Sequence, residues 1–228
     1  MLDVLWICPY NKNTDRSVFL FGEFLMQQRS EETRNHILQA SQRLFSTNGY
    51  DATGVAEICQ AAGVSKGAFY YHFPSKQAVF LKLLDNWLEI LDGGLMAISQ
   101  GTQDVPHILL QMSDIMTEVF QTANGQLPLF LEYWLQASRD EAIWKATIAP
   151  YRHYQDFFTA LVQRGMDEGS FRVVEAHIAA QTLVALAVGL LLEGLLNPRG
   201  TDWSQVPRQC MQLFLDSLTP KNTGMEVV

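Results

Sequence analysis

Residues 53–76, TGVAEICQAAGVSKGAFYYHFPSK, decide the fold that this chain is expected to adopt. Apolar residues follow Thr53 at helical spacing, so Thr53 is predicted to be the N-cap of a short helix. Gly63 stands where that helix needs a left-handed residue at its C-terminus. Ser65 can cap a second short helix, which should end before Pro74 because a residue that precedes proline avoids helical angles. The stretch therefore predicts a helix-turn-helix, followed at once by a third helix.

The second helix of this motif has a composition suited to contact with duplex DNA. Gly67 and Ala68 lie in its first turn, and such small residues let a helix backbone approach base edges in the major groove. Tyr, His and Lys side chains around that end can donate hydrogen bonds to phosphate oxygens. Phe69 and Phe73 of the same helix are assigned to packing. The alternative is that the Tyr and His groups are only the polar tips of core aromatics and do not contact DNA. The residues predicted to contact DNA are Thr53, Ser65, Lys66, Gly67, Ala68, Tyr70, Tyr71, His72 and Lys76.

Residues 63–76 also carry a family resemblance. The run GVSKGAFYYHFPSK matches the pattern G-V-S-x-G-x-x-Y-x-H-F-x-x-K and resembles the TetR/AcrR family of one-component repressors. Phe45, Gly49, Tyr50, Ile58, Ala61 and Ala62 extend the likeness, which covers about residues 30–80. Cys59 stands where the family usually has alanine, and a thiol has similar size and apolar character. The resemblance implies an N-terminal DNA-binding domain and a C-terminal helical domain for effector binding and dimerisation.

Charge is unevenly distributed along the 228 residues, whose formal net charge is −8. Residues 29–82 contain six Lys/Arg against four Asp/Glu, whereas residues 83–228 contain eight against seventeen. A mildly positive head on an acidic body suits a protein that meets DNA at one end. Because the head is only mildly basic, we expect non-specific DNA affinity to be modest and sensitive to salt.

The first 25 residues do not share the pattern of the rest, and Met26 opens a typical start for the resembled family. We therefore expect an N-terminal extension over residues 1–28, which a start-site overrun would explain; an N-terminal arm in a minor groove is the alternative. A DNA-binding domain over residues 29–74 and an effector-binding and dimerisation domain over residues 75–228 should follow. The first helix should run over residues 31–48, with Ser30 as its N-cap.

Helical periodicity continues to the end of the chain and predicts an all-α protein. Further helices are expected at about residues 75–97, 105–121, 127–137, 141–164, 175–196 and 203–218. The helix that opens at Ser75 joins the DNA head to the body without a flexible linker, so it can transmit a tilt. No alternating run is long enough to demand a sheet.

The segment 175–196 is apolar on all sides, with no charge between Ile178 and Leu192. Such a helix needs burial on both faces, so one face should meet the body and the other a second chain. We judge the uncharged run itself, from Ile178 to Leu192, too short to span a membrane. The resemblance implies a homodimer formed through residues 175–196 and 203–218, whose twofold axis would match a palindromic operator.

Aromatic and sulfur side chains are dense in the body and are either ordinary core or the walls of a partly apolar effector site. The resemblance favours the site. Its predicted lining residues are Trp87, Met112, Met116, Phe120, Phe130, Tyr133, Trp134, Tyr154, Phe158 and Gln181.

The sequence carries no recognisable enzyme motif, such as HExxH, a P-loop or GxSxG, and no metal or cofactor is expected. We expect a cytoplasmic protein with reduced thiols, because the three cysteines lack CxxC spacing and no signal-peptide pattern is present. A redox role for Cys59 or Cys210 is the open alternative. The expected function is a dimeric, ligand-responsive repressor. A ligand-dependent activator or co-repressor-type regulator is the alternative, with an enzyme a remote third.

Overall fold

The computed structural model describes residues 14–101, 103–122 and 127–220, without the side chains of residues 14–25, 119–122, 127 and 130. Within these ranges the chain forms helices and no strand, which confirms the all-α prediction. The nine helices described are α1 Thr14–Asn48, α2 Val55–Ala62, α3 Lys66–His72, α4 Lys76–Ser99, α5 Val105–Thr122, α6 Leu127–Ala137, α7 Glu141–Asp167, α8 Ala176–Leu196 and α9 Val206–Leu218.

Local capping signals build the helix-turn-helix. Gly63 closes α2 in the left-handed conformation (φ 68°), as expected for a helix C-terminus. The backbone N–H of Ala68 donates to Ser65 Oγ (3.1 Å) at the start of α3. The predicted N-cap of α2 is wrong by one residue: Gly54 is the cap, and its N–H donates to the carboxylate of Glu57 (2.7 Å). A glutamate at this position can satisfy the cap backbone, so the helix does not need a capping hydroxyl.

Helix α1 starts well before the predicted position. It begins at Thr14, so Ser30 lies inside the helix and is not its N-cap. The residues around Ser30, such as Gln27, Gln28 and Arg29, are good helix formers, and an interior serine costs a helix only a few tenths of a kcal/mol. A capping residue therefore does not by itself end or begin a helix when its neighbours favour continuation.

Two hydrophobic clusters form the described core. The first joins the DNA head to the body, because Ile37, Phe69 and Phe80 pack in one cluster with Tyr133 of α6 and Ile143 of α7. This cluster crosses the predicted domain boundary at residue 75. The second cluster lies among the far end of α4 and helices α5, α7, α8 and α9. Helix α4 contributes to both clusters, so it connects the two ends of the molecule.

The turn after α7 packs closely against that helix. A Cβ placed on Gly165 would lie 2.3 Å from the ring of Phe171, so only glycine allows the ring to reach the backbone. The N–H of Phe171 donates to Gly165 O (2.9 Å), which fixes the turn. Helix α9 begins three residues later than predicted, and Pro207 occupies its first turn, where proline needs no N–H partner.

Helix α8 is longer than its uncharged run. The helix extends beyond the segment from Ile178 to Leu192, and its 21 residues are long and apolar enough to cross a membrane by length and composition alone. Ala179, Ala180, Leu183, Val184 and Leu190 are nevertheless buried within the fold. Packing against α7 and the rest of the body accounts for the hydrophobicity of that face.

Candidate DNA interface and ligand cavity

The outward side of α3 forms a surface, here called the α3 surface, which consists of Lys66, Gly67 and Ala68 in the first turn and Tyr70 and Tyr71 near the end. Lys66 and Gly67 are exposed, and Ala68 is half-buried. Tyr71 is 81% exposed and Tyr70 is 54% exposed, although large aromatic side chains are usually much more buried in a folded protein. The fold does not use these two rings as core, which argues against the alternative that they are only polar tips of packed aromatics.

Gly67 has no evident structural reason to be glycine. Its φ lies outside the left-handed region, and a Cβ would meet Ser65 Oγ at 3.7 Å, an ordinary van der Waals distance. Glycine within a helix costs up to about 1 kcal/mol relative to alanine. The fold would therefore tolerate a methyl group at this position, and its absence leaves the backbone of α3 open to approach from outside.

The other face of α3 holds it on the head. Phe69 and Phe73 are buried, as predicted for the packing residues. The guanidinium of Arg34 in α1 lies 5.4 Å from the centre of the Phe73 ring. His72 is half-buried, and its ring contacts Tyr71 edge-on with 5.0 Å between ring centres. This packing leaves the α3 surface pointing away from the core.

Two residues predicted to contact DNA are engaged elsewhere. Thr53 is buried, and its hydroxyl donates to Gly49 O (2.8 Å), which leaves no exposed hydroxyl for a phosphate. Lys76 Nζ donates to Tyr50 O (2.7 Å) and to Thr53 O (2.9 Å). Burial lowers the pKa of Lys76, while the charges of Asp51 and Glu132 oppose that shift. In this arrangement Lys76 ties the start of α4 to the loop before α2.

A large cavity opens inside the body, with a volume of about 660 Å³. Helices α4 to α9 supply its walls. The lining residues are Leu84, Trp87, Leu88, Leu91, Leu95, Met112, Ser113, Ile115, Met116, Tyr133, Trp134, Ala137, Ser138, Trp144, Thr147, Ile148, Pro150, Tyr151, Tyr154, Phe158, Leu183, Val184, Leu186, Ala187, Val188, Leu190, Leu191, Pro207 and Met211. This volume lies within the range of sites that take drug-sized ligands.

The cavity gathers most of the predicted ligand-binding residues and excludes one of them. Trp87, Met112, Met116, Tyr133, Trp134, Tyr154 and Phe158 all belong to its wall. Gln181 does not, because it lies on the exposed side of α8. The side chains of Phe120 and Phe130 lie outside the described residues.

Sequence reasoning missed the part of the wall that α8 supplies, such as Leu183 and Leu191. Trp144 and Tyr151 of α7 belong to the dense aromatic segment of the sequence, although they are not among the predicted lining residues. A helix that is apolar on all sides gives no periodic signal of which face meets a cavity.

Two tyrosine hydroxyls in the wall donate to groups of the protein. Tyr133 Oη donates to the backbone carbonyl of Phe80 (3.1 Å), and Tyr154 Oη donates to Asp92 Oδ1 (2.8 Å). Burial raises the pKa of both phenols, and for Tyr154 the neighbouring Asp92 raises it further. Both side chains therefore stay neutral donors at physiological pH.

A chain of contacts, here called the aromatic bridge, joins this cavity to the DNA head through Tyr133, Phe80 and Tyr50. The ring centres of Tyr133 and Phe80 are 4.3 Å apart, and those of Phe80 and Tyr50 are 4.5 Å apart. Lys76 Nζ then lies 4.2 Å from the centre of the Tyr50 ring. No local pattern in the sequence predicts these contacts, because they join residues up to 53 positions apart. They offer a direct packing route between the two sites.

Two family models match this chain. The model described as bacterial regulatory proteins of the tetR family matches residues 37–83, and the model described as the C-terminal part of BetI-type transcriptional repressors matches residues 110–219. The first match contains the helix-turn-helix and the α3 surface. The second contains most of the helices that enclose the cavity.

Curated relatives and solved structures agree with these matches. The HTH-type transcriptional regulator YfiR of Bacillus subtilis is 25% identical over 152 residues, which are 65% of this chain and 73% of that protein. AcrR of Shigella flexneri is 46% identical over 57 residues, which are 25% of this chain and 26% of that regulator. A transcriptional regulator from Saccharomonospora viridis, crystallised in complex with choline, superposes with a TM-score of 0.72 at 23% identity, covering 84% of this chain and all of the other. This last likeness shows a shared fold.

Proposed function

Because this chain belongs to the TetR family of DNA-binding transcriptional regulators, which are not enzymes, we propose that it is a cytoplasmic homodimeric repressor released from a palindromic operator by a small molecule. The observation that carries this proposal is the connection of the α3 surface to a large internal cavity through α4 and the aromatic bridge. A ligand in the cavity would contact Tyr133 directly, and Tyr133 contacts Phe80 of α4.

In the DNA-bound state, the first turn of α3 would enter the major groove with Gly67 and Ala68 next to base edges. Lys66, Tyr70 and Tyr71 have the exposure needed to reach phosphates beside that turn, and Ser65 and His72 flank them. Thr53 and Lys76 would support the interface by holding the loop and α4 in place. Phosphate contacts of this kind set the position of the helix, whereas the backbone approach sets sequence preference.

A second copy of the chain would cover the outer face of α8 and α9. Ile178, Leu192 and Leu196 of α8 are exposed, as is Leu213 of α9, at 72% of its surface. A Cβ on Gly189, in the middle of this face, would meet no atom within 4 Å, so two helices could approach closely there. An exposed apolar strip along two neighbouring helices is typical of a protein interface.

A pair of matched variants tests this interface. Leu213→Glu should shift the protein from dimer to monomer in sedimentation velocity, because it places a charge within the contact. Val173→Glu is the control, since Val173 is 90% exposed but lies before α8, outside the proposed face. A dimer that persists in Leu213→Glu and also in a Leu196→Glu variant would refute the assignment.

The ligand would act by preferring the conformation in which the two α3 helices no longer fit adjacent grooves. It can shift the equilibrium only by its difference in affinity for the two conformations, typically about 1–3 kcal/mol. The aromatic bridge supplies contacts that can differ between them, because Tyr133 holds Phe80 by both its ring and its hydroxyl.

The test begins with selection of bound fragments from genomic DNA by the purified full-length chain. Fluorescence anisotropy with the selected operator then measures affinity as candidate ligands are added. Repression with induced release predicts that affinity falls, whereas a co-repressor-type or activator mechanism, the second candidate, predicts that it rises. Failure to prefer any duplex over competitor DNA at low salt would refute both.

A further inference from the structure

The cavity in the body has an exposed side. Among the lining residues that the structure describes, only Ser138, Trp144 and Tyr151 are exposed to solvent. Trp144 is 45% exposed and Tyr151 is 37% exposed. Their spacing of seven residues places them on one face of α7, two turns apart, and Ser138 lies in the turn just before this helix. Together they form an opening, here called the mouth, beside the N-terminal half of α7.

The opposite end of the cavity is closed and apolar. Leu95, Met112 and Leu183 line it and are buried members of the second hydrophobic cluster. Phe158 and Met211 also line this end and pack against the same cluster. Such an end stabilises a hydrocarbon group, because binding removes apolar surface from water and leaves no polar group of the ligand without a partner.

The space between these ends is elongated. Helix α4 lines the cavity from Leu84 to Leu95, and eleven rises of about 1.5 Å place these two residues about 16 Å apart along the helix. Spread over that length, the volume of about 660 Å³ corresponds to a mean cross-section of about 40 Å². The cavity is therefore longer than it is wide, which suits a chain-shaped ligand.

The mouth offers hydrogen-bonding groups of both kinds. Gln155 Nε2 donates to Tyr151 Oη (3.3 Å), so the phenol proton of Tyr151 remains available to a ligand. Pro150 lies inside α7 and has no N–H, so it leaves the carbonyl of Ala146 without its usual helical donor. Tyr and Trp side chains suit a boundary between an apolar space and water, because each has an apolar ring and a polar tip. A polar group held at the mouth can therefore stay hydrated, whatever its charge.

We infer that the cavity binds a single-chain amphiphile, with the hydrocarbon chain in the closed end and the head group in water at the mouth, beside Trp144 and Tyr151. The wall would contact the chain along α4, whereas the head group would need little burial. This inference rests on the proposed function only in naming the cavity as the effector site. The orientation of the ligand follows from the exposed and buried residues of the wall.

Two probes with the same ten-carbon chain, 1-decanol and decyl maltoside, test whether the head group stays outside. Binding is measured on the full-length protein without DNA, below the critical micelle concentration, by the change in tryptophan fluorescence, since Trp87, Trp134 and Trp144 belong to the wall. We expect the two affinities to agree within about tenfold, because a closed cavity would bury many sugar hydroxyls without partners and an open mouth would not. A larger deficit for the maltoside, or no binding of either probe, would overturn the inference.

Chain length tests whether the hydrocarbon part is buried. From octyl to dodecyl maltoside, affinity should rise about fourfold for each added methylene, the factor expected when a CH₂ group leaves water completely. An affinity that does not depend on chain length would mean that the chain stays in solvent, against the inference.

Variants at the two ends test the orientation. Met211→Phe on α9 and Ile115→Phe on α5 each add a ring near the closed end, from different helices, so one remains informative if the other fails to fold. Either should lower the ratio of dodecyl to octyl maltoside affinity by at least about tenfold, because the longer chain loses its space. Tyr151→Ala at the mouth is the matched variant and should change both affinities alike. An unchanged ratio in both folded closed-end variants, or a collapsed ratio in Tyr151→Ala, would overturn the orientation.

Operator binding separates this inference from the proposed function. Decyl maltoside that binds as described but leaves operator affinity in the anisotropy titration unchanged would support the orientation and count against the effector role of the cavity.

Discussion

Replacing Gly67 with alanine should change protein stability and operator affinity in opposite directions. The added methyl group has room on the free protein, because its nearest neighbour, Ser65 Oγ, would be 3.7 Å away. Gly→Ala at a compatible site lowers the entropy of the unfolded chain and stabilises a protein by about 0.4–1 kcal/mol. For a chain of this size, the melting temperature should rise by about 1–4 °C.

On DNA, the same methyl group would stand between α3 and the base edges. Adding a methyl group to a close-packed contact costs about 1–3 kcal/mol. That free energy corresponds to a loss of operator affinity of roughly five- to 150-fold. Binding to non-specific DNA should change much less, because it depends mainly on phosphate contacts.

The assay pairs a thermal melt with anisotropy titrations of the selected operator. Gly93→Ala is the matched control: Gly93 is an exposed glycine of α4, and a Cβ there would meet no atom within 4 Å. The control should gain stability and bind the operator normally. Full operator affinity in a stable Gly67→Ala variant would refute the docking of α3, and a lower melting temperature would refute the account of free space around Gly67.

The remaining predictions concern single side chains. Lys76→Met should lower the free energy of unfolding by about 1–3 kcal/mol, because it removes the hydrogen bonds of Nζ to Tyr50 O and Thr53 O. Lys66→Met should instead keep the melting temperature and reduce the slope of log affinity against log salt for operator binding by about one unit. An unchanged melting temperature for Lys76→Met, or an unchanged salt slope for Lys66→Met, would contradict these roles. Tyr133→Phe keeps the ring but removes a hydrogen bond worth about 0.5–1.5 kcal/mol. Ligand-induced release from the operator should therefore weaken, while operator affinity without ligand should stay the same. An undiminished ligand response in the anisotropy titration would argue against the aromatic bridge. Burial, and secondly the charge of Glu193, raises the pKa of the Cys210 thiol. Iodoacetamide should therefore modify Cys210 more slowly at pH 7.5 than a free cysteine, and the rate should increase with pH. Rapid modification at pH 7.5, detected by peptide mass spectrometry, would restore a redox hypothesis for this residue.

Local signals in the sequence predicted the helix-turn-helix well. Gly63 and Ser65 act through residues within four positions, so their roles follow from neighbouring letters alone. The N-cap of α2 differed because Glu57 satisfies the backbone of Gly54, a competing solution that is equally local. This error moves the start of α2 by one residue and does not change the fold.

Roles set by distant contacts could not be predicted in the same way. Lys76 is predicted as a phosphate contact because it follows the DNA-reading helix, and its hydrogen bonds to residues 23 and 26 positions earlier have no local signal in the sequence. Gln181 was expected in the cavity because it is a rare polar residue in an apolar helix, and its exposed position depends on which face of α8 meets α7. Chain periodicity does not determine that rotation when every side of the helix is apolar.

The shared cluster around Phe80 has a consequence for protein engineering. Grafting the DNA-reading part of one regulator onto another by joining them at residue 75 would place one parent's Tyr50 against the other parent's Phe80, which itself packs on Tyr133. Such hybrids should fold poorly or respond weakly unless Phe80 of α4 and Tyr133 of α6 are transplanted together with the graft. Specificity for DNA and sensitivity to an inducer are therefore expected to be inherited as a linked set in this chain, with Phe80 and Tyr133 as the residues that must travel with the head.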